Sequence, residues 1–240
     1  MRNMVVRCRS LMGGLLLSGT IAFSAPAQGP VLGVKERTHI SGWEGLAATA
    51  AIGTTFFLDR PARGFLQANR SRTLNGIADM MRPMGEPVVY GSVAGGMLVA
   101  GLVSNDDDLK RAAGRLILAE AVTLASVQLI KFISGRVRPD STSDPFRFRP
   151  FRNRQSGFVS GHAAMAFTLA TTLGDEIEQN WVDILLYTFA GGTAWSRLND
   201  NRHWPSDVAG GALLGYAVAR MAGDHWKLFG MTTPEFLQDD

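Results

Sequence analysis

Three short segments hold most of the chemistry that this chain of 240 residues has to offer. The first runs from Lys131 through Gly135 to Arg138 and Pro139, at the end of an apolar run. Lys131 and Arg138 are about two helical turns apart, so both reach one spot if the helix persists that far. Gly135 and Pro139 equally suit a helix end whose cations complement the dipole. The second segment is Ser156-Gly-Phe-Val-Ser160-Gly161-His162, ahead of another apolar run. Ser160 suits an N-cap, Gly161 lets an anion approach the first-turn N–H groups, and His162 can give a proton to whatever binds there. A capped helix with an incidental histidine has the same composition. The third segment runs from Ser196-Arg197 to His203-Trp-Pro-Ser-Asp207. Pro205 fits the first helical position, which makes Trp204 the cap and Asp207 the third residue. From there the carboxylate either accepts the Nδ1 hydrogen of His203, leaving Nε2 as an oriented lone pair, or caps backbone N–H groups.

Lys131, Arg138, Arg197 and a helix N-terminus together suit a group of charge about −1.5 to −2, which is a phosphate monoester. One histidine attacks phosphorus and the other protonates the leaving oxygen. Fixed cations neutralise the equatorial oxygens, a role that metals often fill. No Asp/Glu/His cluster has metal-ligand spacing, and Cys8 is the single cysteine. The expectation is therefore catalysis without a metal or other cofactor, with vanadate binding only as a phosphate mimic.

In order and spacing the three segments resemble the signature of the type 2 phosphatidic acid phosphatase superfamily, which includes class A acid phosphatases and vanadium haloperoxidases. The matching pattern is a lysine, six residues and Arg-Pro; then Ser-Gly-His; then Ser-Arg, five residues, His, three residues and Asp. The likeness covers about residues 115–221 and departs at Val159, where the family usually has proline. It implies that His203 forms a phosphohistidine, that Asp207 orients and activates it, and that His162 serves as acid and then as base. It further implies that Lys131, Arg138, Ser160, the Gly161 amide and Arg197 hold phosphate. A haloperoxidase holding vanadate in the same pocket is the alternative activity, although such enzymes are usually longer. The expected partner is a phosphate monoester, lipid-linked or small, with a membrane surface or bilayer nearby. The oligomeric state is open.

Apolar stretches at Gly45–Leu58, Val88–Ser104, Leu116–Ile133, Ala163–Leu173, Ile184–Trp195 and Val208–Met221 must position these groups. They are rich in Ala, Leu and Gly and show no period-two alternation, so the expected fold is all-α, a bundle of about six core helices. Arg2, Arg7 and Arg9, the apolar run from Leu11 to Phe23, and Ala25-Pro-Ala27 read as a signal peptide over residues 1–27, leaving one domain over 28–240. Removing those three arginines from 24 basic residues leaves 21, equal to the 21 acidic ones, so nucleic acid is not the expected partner despite the run Arg147, Arg149, Arg152 and Arg154. His39 and His225 read as surface or packing residues. Most apolar runs fall short of the ~18 residues of a confident span, and Leu116–Ile133 is interrupted by Glu120 and Lys131. Spanning by all six would also leave eleven arginines in connections facing the cytoplasm, at odds with export. An exported periplasmic bundle is the expectation, and an integral membrane phosphatase the alternative.

Overall fold

A computed structural model describes residues 42–152 and 156–223. Residues 1–27, read above as a signal peptide, the other residues before 42, His39 among them, and His225 and Arg154 lie outside the described residues. The fold is all-α, as expected, with seven helices among the described residues where about six were expected in the core: α1 Gly42–Ala68, α2 Arg72–Met81, α3 Pro87–Ser104, α4 Asp107–Ser134, α5 Gly161–Ile177, α6 Asn180–Asn199 and α7 Pro205–Ala222. A 3-10 turn, Arg82–Gly85, joins α2 to α3. Between α4 and α5 lies a long loop with an isolated antiparallel bridge between Arg136 and Phe148.

Two elements differ from the expected layout. The stretch 59–87, expected as a connection, holds the end of α1, all of α2 and the 3-10 turn. Asp59 and Pro61 look like a helix stop, but Asp59 is fully buried and bonded, so α1 continues inward-facing through both. The Ser71 hydroxyl caps α2 by accepting from the Leu74 N–H, and Leu74, Ala78 and Met81 repeat at helical spacing beside Asn and Asp. Likewise α4 begins at Asp107 rather than Leu116, because Asp106 caps it and ion pairs Asp107–Lys110 and Asp108–Arg111 support its first turns.

The core is assembled from small side chains. α5 packs against α4, α6 and α7, with Ala163, Ala164, Ala166, Ala170, Ala190 and Ala194 fully or nearly buried. α7 meets α5 at backbone distance: a Cβ on Gly211 would lie 2.4 Å from the Ser160 carbonyl oxygen and one on Gly215 2.0 Å from that of Ala164. No side chain fits at either position, so these glycines set the α5–α7 separation. Thr123 and Thr168 share a buried hydrogen bond of 2.9 Å, which ties α4 to α5.

A buried guanidinium joins the remaining parts. Arg136 donates from Nη1 to Asp207 Oδ1 and Ser206 Oγ at 2.6 Å, from Nη2 to Asp59 Oδ2 at 2.5 Å, and from Nε to the Pro145 carbonyl at 2.9 Å. The guanidinium also lies over the rings of Phe56, Phe148 and Trp204, at 4.4, 5.6 and 5.7 Å from their centroids. α1, the long loop and the start of α7 thereby converge on one side chain.

The outer surface is unusually apolar. α3 and α4 are long and apolar enough to cross a membrane, yet only 17% of the α3 window and 28% of the α4 window is buried. At 1.5 Å per residue, 18 residues of α3 extend about 27 Å and 28 residues of α4 about 42 Å. Val88, Val99, Leu102 and Val103 on α3, and Leu124, Leu129, Phe132 and Ile133 on α4, are exposed.

Two outcomes test this packing. Arg136→Ala leaves two buried carboxylates uncompensated and should destabilise the protein by about 3–5 kcal/mol, read as a fall in its midpoint of thermal unfolding. Gly215→Val should cost about 1–3 kcal/mol or more by forcing α5 and α7 apart. Gly76→Ala, which has open space around it in the exposed face of α2, should be neutral or slightly stabilising. Equal effects at the two glycines would contradict the close-approach argument.

Candidate active site

One cavity of about 360 Å³ is lined by Lys131, Arg138, Gly161, His162, Arg197 and His203, six of the eight residues singled out from the sequence. Asp207 and Ser160 lie directly beneath it, both fully buried. All three segments therefore meet, though not always by the expected route.

Lys131 and Arg138 do not share a helix. Gly135 ends α4 in the left-handed region at φ 56°, where a side chain would run into the Arg149 carbonyl 1.8 Å away. Arg138 arrives instead on the loop, which is held by Val137 N–H donating to Arg147 O at 2.9 Å and Arg149 N–H donating to Gly135 O at 2.9 Å. Lys131 stays on the last turn of α4 and donates from Nζ to the Ser156 carbonyl at 2.8 Å. Arg197 comes from the last turn of α6, 3.4 Å from Asp200.

Gly161 and His162 open α5, whose first turn points into the cavity. The Ser160 hydroxyl accepts from the Ala163 N–H at 3.5 Å, so it acts as the helix cap below the cavity rather than as a lining group. The Ser160 N–H donates to the Asp207 carbonyl oxygen at 2.8 Å, coupling the start of α5 to α7.

Asp207 fulfils the capping reading of its position and faces His203 without bonding it. It is the third residue of α7, and its Oδ2 accepts from the Trp204 N–H at 2.8 Å. The same Oδ2 stands 3.6 Å from His203 Nδ1, facing it but beyond hydrogen-bond length. Its other oxygen is taken by Arg136. Burial pushes the His203 imidazole down to about 4, with Asp207 partly opposing that fall. At neutral pH the ring is therefore uncharged, and Asp207 addresses Nδ1 while Nε2 is left for chemistry.

Several contributors were passed over in the sequence. Arg202 and Tyr90 line the cavity, and Arg202 stood in plain view between Arg197 and His203. Arg136 sits inside the first motif as the cation nearest to Asp207. Glu86, just ahead of α3, places Oε1 3.0 Å from His162 Nε2. Asp59 is bonded by Arg136 and accepts from both the N–H and the hydroxyl of Ser206. Glu86 and Asp59 lie 76 and 77 residues from those partners, and no local pattern marks them. Among the described residues no group of three His, Cys, Asp or Glu side chains is arranged to hold a metal ion.

Comparison with known proteins agrees with this geometry. Residues 112–226 match the family model of the PAP2 superfamily. The chain is 33% identical over 114 residues to a lipid A 1-phosphatase of Porphyromonas gingivalis, covering 45% of this chain and 23% of that protein. It is 29% identical over 106 residues to a lipid A 4'-phosphatase of Bacteroides thetaiotaomicron, covering 41% of this chain and 47% of that protein. The chain thus spans less than half the length of either relative. Among solved structures, Aquifex aeolicus LpxE superposes with a TM-score of 0.54 at 24% identity, covering 69% of this chain and 94% of that one. A transmembrane PAP2 type phosphatidylglycerolphosphate phosphatase from Bacillus subtilis superposes with a TM-score of 0.54 at 20% identity, covering 74% of this chain and 89% of that one. Those two likenesses concern the fold, whereas the family model covers all three motifs in sequence. The three motifs drawn into one cavity thus all fall within residues 112–226, the part of the chain that matches the PAP2 superfamily model.

Proposed function

We propose that the chain is a phosphatase of lipid-linked phosphate monoesters, embedded in a membrane of the cell envelope and working through a phosphohistidine on His203. The observation that carries this reading is the convergence of Lys131, Arg138, Arg197, the start of α5 and two histidines on one cavity. In the proposed reaction the cations and the Gly161 N–H bind the phosphate oxygens, and His203 Nε2 attacks phosphorus. The ester bond breaks as His162 supplies a proton to the leaving oxygen. Water then attacks the phosphohistidine, giving its proton to His162, and the P–N bond breaks to release phosphate. Fixed guanidinium and ammonium groups stabilise the charge of the transferring group, which makes the expected reaction independent of a metal and open to inhibition by vanadate.

The membrane reading rests on where the exposed apolar residues lie. α3 and α4 form a hairpin whose far turn carries Asp106, Asp107 and Asp108. Its open end carries Glu86 and Lys131, so the cavity sits where a spanning hairpin meets the headgroup layer. The loop at that end exposes Phe146, Phe148 and Phe151, interleaved with exposed Arg147, Arg149 and Arg152. Aromatic rings and arginines together suit the interface, the former at headgroup depth and the latter against lipid phosphates. Residues 1–27 would be the export signal. Named lipid A phosphatases among the relatives support a lipid substrate of this kind.

His203→Ala should reduce turnover of lipid phosphates and of p-nitrophenyl phosphate to background and abolish an acid-labile phosphoenzyme. His162→Ala should slow turnover by about 10²–10⁴-fold. Hydrolysis retained by His203→Ala would refute the nucleophile. Carbonate washing of the cell envelope should leave the protein in the membrane pellet, and release into the wash would refute the embedded reading.

A further inference from the structure

Glu86 is not part of any of the three motifs and lies outside the 112–226 segment, yet it touches the site. It directly precedes α3 at the mouth of the cavity, and its Oε1 is 3.0 Å from His162 Nε2. Among the described residues, the other charged side chains that act on His162 are cations: Arg197 from α6 and Lys131 from α4, with Arg138 and Arg202 lining the same cavity. Those cations and the burial of the ring oppose the imidazolium form. An acid for the leaving group must carry its proton when the ester arrives, so the phosphate-binding charges work against the group meant to act beside them.

We infer that Glu86 is the positioning residue that resolves this conflict, orienting the His162 ring and holding it in its protonated form for departure of the leaving group. The inference rests on the proposed role of His162 as acid. His203 and His162 would then each be served by a carboxylate, Asp207 at Nδ1 of the first and Glu86 at Nε2 of the second. With Nε2–H donated to Glu86, the proton that leaves the ring is the one on Nδ1. It passes to the ester oxygen as the P–O bond breaks and a bond forms between phosphorus and His203 Nε2, so the alcohol departs neutral. In the second step the neutral His162 takes one proton from water as the water oxygen bonds to phosphorus and the P–N bond breaks, which restores the imidazolium held by Glu86. Gly85 next to it allows this approach: a Cβ there would lie 2.8 Å from the His162 Cβ.

Leaving-group dependence tests the inference in the full-length protein. p-Nitrophenol departs without help, whereas a simple alkyl alcohol needs a proton. kcat/KM is measured on p-nitrophenyl phosphate and on hexyl phosphate, because it reports the step in which the alcohol leaves. Glu86→Gln should raise the aryl-to-alkyl ratio of kcat/KM by about 10–100-fold, within the range that general acid catalysis contributes. The alkaline limb of the alkyl ester profile should move to lower pH, since loss of a nearby anion makes the imidazolium easier to deprotonate. His162→Gln should raise the same ratio, and adding Glu86→Gln to it should change the ratio no further. If Glu86→Gln lowers both esters equally while His162→Gln discriminates between them, Glu86 only shapes or fills the cavity and the inference is overturned. If His162→Gln itself fails to discriminate, the acid assignment falls and takes the role of Glu86 with it.

Discussion

The arrangement depends on one fully buried charge. Arg136 stands at the meeting point of α1, the long loop and α7, with no solvent to satisfy it. Desolvating a guanidinium costs several kcal/mol, so the site exists only because two carboxylates, a hydroxyl, a carbonyl and aromatic faces surround it. Two carboxylates against one guanidinium leave this cluster with one net negative charge. Backbone N–H groups of Trp204 and Ser206 spread part of that charge. The remainder faces His203, where positive charge develops when an imidazole bonds to phosphorus.

The phosphate cavity presents the opposite problem. Lys131, Arg138, Arg197 and Arg202 repel one another across a small, partly desolvated space. They are held in place by groups that do not neutralise them, such as the Ser156 carbonyl at Lys131, or that do so from one side, such as Asp200 at Arg197. A bound dianion would relieve this repulsion more than a singly charged carboxylate would, which is the preference that the proposed function requires. The backbone contact of α7 with α5 through Gly211 and Gly215 then has a functional side. It sets Asp207 and the start of α5 within one hydrogen bond of each other, so the proposed nucleophile and the helix end proposed to bind the anion cannot drift apart.

The motif residues were legible because their spacing reflects chemistry, and the helices because Ala, Leu and Gly runs suit little else. Long-range partners were not. Asp59 and Glu86 both fell within the stretch 59–87 read as a connection, since each acquires meaning only from a side chain more than seventy residues away. Arg136 stands beside Arg138 in the first motif, and nothing local says that it is buried. Of the two readings open for the Lys131–Pro139 segment, the structure takes the one in which Gly135 ends the helix, so Lys131 and Arg138 meet without sharing it. The length argument against a span in α4 counted Glu120 and Lys131 as interruptions. Both side chains face inward and are buried, so the outward face of the helix carries no charge at those positions. Composition along a helix cannot separate its two faces; packing does.

That separation of faces bears on how a lipid substrate would meet the cavity. Lys131, Gln128, Val127 and Leu124 follow one another along the same side of α4 at helical spacing, and all four line the cavity together with Met165 of α5. The wall therefore grades from cationic at the loop end to apolar toward the middle of the hairpin. A phosphate on a lipid anchor needs that order of surfaces: charge where the headgroup lies and hydrocarbon below it. In the proposed reaction the phosphorus atom would reach His203 while the chains stayed in the bilayer, with no energy spent on lifting the lipid into water. A small soluble ester would use only the cationic end of the same cavity.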